Sequence, residues 1–279
     1  MARFDLRSRR RLLVISVAVA IVAAAAVIER DRFTASAIAA ASCDDCSMQR
    51  KAAVAARAFA TPQSVLMMPT IVGGRRTTSR EFPTVGAILV DGELSCTGTI
   101  IGAHTVLTAA HCLDGIDAGR LSFKLGLDTT LPQPPPMTVS DRDIPNETNL
   151  TFDPVSLVHD VGVLHLTTPV TSGPLPRIDE DVRDQHLFGA DVVKVGYGFD
   201  DPNRTGDGVQ RRIELAVSTI EPLKFRHGGS GMSICFRDSG GPAFLSGRIV
   251  GVTSSTRGCR EGADTRIALH AGWIKARIR

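Results

Sequence analysis

Cys235-Phe236-Arg237-Asp238-Ser239-Gly240-Gly241-Pro242 is the stretch that gives the rest of the chain its meaning. A serine that follows Arg-Asp and precedes Gly-Gly-Pro reads as a tight turn, because glycines let backbone approach backbone with no Cβ in the way. Such a turn holds a hydroxyl out for attack. It also aims neighbouring backbone N–H groups at one point, where an oxyanion formed beside that hydroxyl needs them. Asp-Ser-Gly is ordinary turn chemistry as well, so the reading depends on what else the chain supplies.

A serine hydroxyl is a weak nucleophile at neutral pH. It needs a base within hydrogen-bond reach, and the base needs a carboxylate that fixes its tautomer and stabilises its cation. Of the seven histidines, His111 closes the run Thr105-Val106-Leu107-Thr108-Ala109-Ala110 and is followed by Cys112, so a strand and a disulfide would both hold it. His104, His159, His165, His186, His227 and His270 lack that context and read as surface or core histidines. The candidate carboxylate is Asp160, which opens the apolar run Val161 to Leu166. A lone acid there is expensive to bury without a hydrogen-bonded partner. His111 would be one; an exposed aspartate at a loop end is the other reading.

The 279 residues, 43% of them hydrophobic, suffice for one large all-β domain or two small ones. A net charge of +3, with no basic patch interleaved with aromatics, points away from nucleic acid as a partner. Residues 1–32 have the layout of a secretory leader: Arg7, Arg9, Arg10 and Arg11 precede an apolar run from Leu12 to Ile28, which Glu29-Arg30-Asp31-Arg32 ends. Cleavage near Ala23 to Ala26 gives a secreted protein. Retention of the segment as an anchor is the alternative, and the only route by which a membrane enters. Six cysteines, at 43, 46, 96, 112, 235 and 259, suit an oxidising compartment. Residues 33–70 are rich in Ala and Ser and read as a propeptide or spacer. Within them Cys43-Asp44-Asp45-Cys46 fits a local disulfide, a metal half-site, a redox pair or, against the polar spacing before it, a lipid-bearing cysteine.

From Ile71 onward, short runs rich in Val, Ile, Leu and Thr are separated by Gly, Pro, Asp and Asn, as in an all-β barrel or sandwich. The runs are Thr84 to Val90, Thr99 to Ile101, Thr105 to Ala109, Leu121 to Leu127, Val161 to Leu166, Val192 to Gly196, Ile213 to Ile220 and Ala243 to Ser254. In Ile213 to Ile220 the first six residues alternate with the period of a half-buried strand. Thr129 to Thr151 carries five prolines and reads as mostly exposed loop. Ala271 to Arg279 reads as a short terminal helix that docks Trp273, Ile274 and Ile278.

Four segments together resemble the trypsin/chymotrypsin family of serine proteases, in order and at suitable separations. They are Ile71-Val72-Gly73-Gly74, Leu107-Thr108-Ala109-Ala110-His111-Cys112, Asp160-Val161-Gly162-Val163-Leu164 and Asp238-Ser239-Gly240-Gly241-Pro242. The resemblance covers 71–279 and implies an all-β fold of two packed six-stranded β-barrels with a short C-terminal helix, the site lying between the barrels. It implies Ser239 as nucleophile, His111 as general base and then acid, and Asp160 as the orienting carboxylate. It also implies disulfides Cys96 with Cys112 and Cys235 with Cys259, each contributing on the order of 2 to 4 kcal/mol. Cleavage before Ile71 would free an α-ammonium that pairs with Asp238 and orders the site. The uncut chain is then a zymogen, activated by another protease or by itself. The residue before the cut is Thr70, so a trypsin-like activator is not expected.

By position the resemblance puts Ser233 at the floor of the substrate pocket and Thr256 and Gly262 on its walls. No carboxylate waits there for Lys or Arg, so a small or medium uncharged side chain is expected. Arg237 stands where the family has the glycine whose N–H, with that of Ser239, forms the oxyanion hole. A strained residue there would turn one donor away. Alternatively the N–H stays in place and the side chain crowds the leaving-group side of the cleft, which is the reading adopted here. The implied partner is a protein or peptide substrate, and no cofactor or metal is implied. The rival reading from another class is a protease-like binding or regulatory protein of low turnover. An α/β-hydrolase esterase is disfavoured because the G-x-S-x-G turn is missing.

Overall fold

The alternation in Ile213 to Ile220 is seen in the strand Arg211–Ile220, where Ile213, Leu215 and Val217 face inward and Glu214, Ala216 and Ser218 outward until the pattern breaks at Thr219. The computed structural model describes residues 71–279 apart from Ser172, Pro202 and Arg204. The expected leader at 1–32 and the spacer at 33–70, with Cys43 and Cys46, lie outside the described residues.

Two antiparallel barrels close. Around the first run Val85–Val90, Glu93–Ile100, Thr105–Thr108, Gly162–Leu166, Met137–Asp143 and Leu121–Lys124. Around the second run Arg211–Ile220, Asp191–Gly196, Pro242–Leu245, Arg248–Arg257, Glu261–Arg266 and Lys224–His227, with Lys224–His227 pairing back onto Arg211–Ile220. Arg75–Arg76 adds an edge to the second barrel. Full closure removes the unpaired strand edges that an open sheet would expose. Ile88, Ile100, Val106, Leu107, Phe123, Val163 and Leu164 fill the first core, and Val192, Val217, Phe225 and Val250 the second.

Several expectations need correction. Thr129 to Thr151 is exposed loop only in part: Met137–Asp143 is a strand of the first barrel, hidden in the sequence because it is polar and buries only Val139. The run Ala243 to Ser254 is two strands. Ser246 (φ 50°) and Gly247 (φ 77°) make a two-residue hairpin turn of the kind that needs positive φ twice, inside an otherwise apolar stretch. Glu261–Arg266 and Lys224–His227 escape sequence reading because they bury polar side chains, Asp264 and His227, where apolar residues are expected. The terminal helix stops at Lys275; it buries Trp273 and Ile274, while Ile278 lies beyond it and is exposed.

Candidate active site

Strand register brings the first two candidates together. Thr108 pairs with Gly162 at the end of one antiparallel ladder. The chain leaving Thr108 and the chain entering Gly162 therefore start side by side. His111 sits on the short 3₁₀ turn Ala110–Cys112, tied by the disulfide Cys96–Cys112. Asp160 lies two residues before the partner strand, held by Thr265 Oγ1–H donating to its carbonyl (2.9 Å).

The Asp160 side chain is fully buried and has three donors. His111 backbone N–H reaches Oδ1 at 2.9 Å, and His111 Nδ1–H reaches Oδ2 at 2.8 Å. Ser254 Oγ–H also donates to Oδ2, at 2.6 Å. A buried carboxylate with this many donors stays in place, and it sets the imidazole tautomer: Nδ1 carries the proton and Nε2 is left free to accept one. Sequence reading missed Ser254, which lies in an unremarkable Thr-Ser-Ser-Thr run.

Ser239 is half-buried on the turn after the second disulfide, Cys235–Cys259. The glycine that follows is sterically required. Gly240 has φ 80°, and a Cβ there would stand 2.0 Å from Thr108 Oγ1 and 2.3 Å from Thr97 O. The turn is thereby wedged against the first barrel. Thr97 makes the clamp: its N–H donates to Ser239 O (2.8 Å), and its Oγ1–H donates to Arg237 O (3.1 Å). Thr97 was also missed, since nothing distinguishes a threonine inside a strand. Among the described residues no hydrogen bond joins Ser239 Oγ to His111, whose Nε2 lies 3.7 Å from Cys112 Sγ.

Arg237 has φ 75°, in the left-handed region where a non-glycine residue is strained by about 1 to 3 kcal/mol. It thus keeps a glycine-like backbone. Its guanidinium pairs with Asp207 and lies 4.8 Å from the centre of the Phe199 ring.

Asp238 is fully buried and accepts N–H bonds from Gly198 (2.8 Å) and Cys235 (2.8 Å). Burial nevertheless pushes its carboxyl up to about 6, against the pull of those N–H groups and of Lys194 and Arg211. Ile71 is buried against Ile213 and Leu215, and the next residue, Val72, accepts Ser233 N–H at 2.9 Å.

The three pocket candidates also cluster. Ser233 is buried, with no hydrogen bond to its Oγ among the described residues. Thr256 Oγ1 is within hydrogen-bond distance of the Ile234 and Glu261 carbonyls (3.2 and 3.1 Å) and accepts Cys259 N–H (3.2 Å). The space next to Gly262 is taken: a Cβ there would lie 2.5 Å from His227 Cε1 and 2.6 Å from Ile234 Cγ1. Ile234 and His227 are buried neighbours of Gly262 that sequence position alone did not single out.

With this geometry in hand, comparison with known proteins is specific. A family model described as Trypsin matches residues 71–274. The chain is similar to azurocidin of Sus scrofa, at 31% identity over 219 residues that cover 73% of this chain and 86% of the relative. It is also similar to hypodermin-B of Hypoderma lineatum, at 28% identity covering 73% of this chain and 86% of that one. Mouse neutrophil elastase is 27% identical, covering 75% and 83%. Among solved structures, human heparin binding protein matches with a TM-score of 0.63 at 25% identity, over 74% of this chain and 95% of the other.

Proposed function

The chain belongs to the trypsin family of serine proteases, and from that premise we propose that it is a secreted endopeptidase acting through Ser239, His111 and Asp160. The observation that carries the reading is the buried Asp160 carboxylate accepting both N–H groups of His111, which leaves Nε2 free to act as a base. Ser239 Oγ attacks the substrate carbonyl as its proton passes to His111 Nε2. The N–H groups of Arg237 and Ser239 stabilise the oxyanion, and His111 returns the proton to the leaving amine. Water then hydrolyses the acyl-enzyme by the same route. Residues 1–32 serve as the leader, 33–70 as the propeptide and 71–279 as the protease domain.

The test uses the full chain, with a specific cleavage sequence placed ahead of Ile71, before and after cutting. Labelling of Ser239 by a fluorophosphonate and cleavage of a mixed peptide library, both appearing only after the cut, are expected. Heparin binding with neither reaction would favour the second reading, a binding protein of low turnover. The missing Ser239–His111 hydrogen bond, Arg237 and the likeness to a heparin binding protein support that reading.

Zymogen activation has a pH signature. In the uncut chain the raised Asp238 carboxyl stays protonated after its unfolded counterpart has ionised. The contribution of this group to stability is therefore full below about pH 4 and is lost between about pH 4 and 6, by about 3 kcal/mol in all. A free Ile71 ammonium beside Asp238 would stabilise the carboxylate and flatten that slope. Melting temperatures of the cut and uncut chains should diverge from pH 4 to 6; parallel curves would count against Asp238 as the partner of the new terminus.

Pocket preference is set by Ile234 together with Ser233, Thr256 and Gly262. The filled space beside Gly262 favours a small uncharged residue before the scissile bond, which Thr70 also provides. Ile234→Gly should raise kcat/KM for Leu or Met at that position by about 10-fold or more relative to Ala, since one or two methylenes are worth about 1 to 3 kcal/mol. An unchanged profile, or one dominated by Arg or Lys, would contradict this assignment.

A further inference from the structure

Arg237 adopts a backbone conformation that favours glycine, and its side chain is tied at the far end. The guanidinium pairs with Asp207 and covers the face of Phe199 at 4.8 Å. The arm that carries Asp207 is itself fixed: the next residue, Gly208, donates its N–H to Tyr197 O (2.8 Å) and accepts Thr129 N–H (2.8 Å). Phe199 N–H donates to Phe236 O at 3.1 Å, one residue before Arg237. At the near end, Thr97 Oγ1 accepts Tyr197 N–H (3.2 Å) and donates to Arg237 O (3.1 Å). Arg237 is thus gripped at its carbonyl and at its guanidinium, both times by groups anchored to Tyr197 or its neighbours.

We propose that Asp207, with Phe199, is a positioning residue for the oxyanion hole: it holds the Arg237 side chain away from the reacting carbonyl and keeps the Arg237 N–H turned toward it. The proposal rests on the serine protease reading above. Glycine at this position needs no such restraint, because left-handed φ carries no Cβ penalty for it. With arginine, losing the guanidinium anchor frees the backbone to leave that conformation and take one donor with it. Asp207 also lines a cleft of about 330 Å³ with Leu89, Glu93, Leu94 and Thr130. An effect on leaving-group binding must therefore be kept apart from an effect on the oxyanion.

The experiment is a four-cornered comparison of the cut chain with Arg237 or Gly at 237, and Asp207 or Ala at 207. The substrate is a peptide methyl ester, whose small leaving group does not occupy that cleft. With Arg237 in place, Asp207→Ala is expected to lower kcat at least 10-fold, with KM unchanged within twofold. In the Arg237→Gly background the same substitution should change neither by more than twofold. Asp207→Asn, which keeps a hydrogen-bond acceptor, should retain part of the lost rate, and melting temperatures check that each variant is folded. Equal losses in both backgrounds, a loss in KM alone, or no loss would overturn the positioning role while leaving the protease reading intact. Absence of Ser239-dependent ester hydrolysis from all four forms would overturn both.

Discussion

Replacing Asp160 by asparagine is expected to lower kcat by about 10⁴ while KM stays within a few-fold. The magnitude is the one known for this family's triad; the direction follows from the donors around this side chain. Oδ2 faces two of them, His111 Nδ1–H at 2.8 Å and Ser254 Oγ–H at 2.6 Å, and Oδ1 faces His111 N–H at 2.9 Å. An amide supplies only one acceptor oxygen. If its NH₂ takes the Oδ2 position, it must donate to Nδ1, which drives the proton to Nε2 and removes the base that the proposed mechanism gives to Ser239. If it takes the Oδ1 position, it confronts the backbone N–H, donor against donor, at a cost of about 1 to 3 kcal/mol in stability. Either orientation damages the site, and the first damages the chemistry alone. Steady-state kinetics on a peptide amide, beside the rate of fluorophosphonate labelling, separates them. A fall of less than 10-fold in both would remove His111 and Asp160 from the proposed roles.

The parts of this molecule that were legible in its sequence are those in which a residue type is forced by local geometry. Gly240 must be glycine because Thr97 and Thr108 stand where its Cβ would be, and that necessity made the Asp-Ser-Gly-Gly stretch readable. His111 and Asp160 were readable because each flanks a strand of ordinary apolar pattern, and the Thr108–Gly162 register then makes their encounter geometrically necessary. What stayed hidden depends on residues distant in sequence whose types are common. The Thr97 and Ser254 hydroxyls meet partners 140 and 94 residues away, and no local pattern marks them. Met137–Asp143 was concealed by its polarity and by the prolines before it. Glu261–Arg266 was concealed for a different reason: its central residue is a buried acid, and a strand interior is read from apolar alternation. That acid makes sense only beside Lys194, which lies on another strand of the same barrel.

Lys194→Met is accordingly expected to destabilise the folded chain by about 3 to 5 kcal/mol, because it strands a buried carboxylate. Lys194 Nζ lies 2.7 Å from both Asp264 oxygens, and both side chains are buried. Burial alone would raise the Asp264 carboxyl; Lys194 and the nearby His227 more than reverse this and hold it at about 2. Burial pulls the Lys194 ammonium down, against Asp264. Taken as a pair, the two charges add little net stability, since their desolvation offsets most of their attraction. Removing both, in Lys194→Met with Asp264→Leu, should therefore recover most of the loss seen in the single variant. Urea unfolding of the two single variants and the double provides the coupling energy. A single-variant cost below about 1 kcal/mol would mean that Asp264 finds another partner. The stakes extend to the proposed pocket, because His227, 3.2 Å from Asp264 through Nε2, stands with Cε1 against Gly262. The Lys194–Asp264 pair therefore packs beside the imidazole that, with Ile234, fills the space next to Gly262. Variants that keep the barrel but release His227 should show altered preference before the scissile bond even where the Ser239, His111 and Asp160 set is untouched.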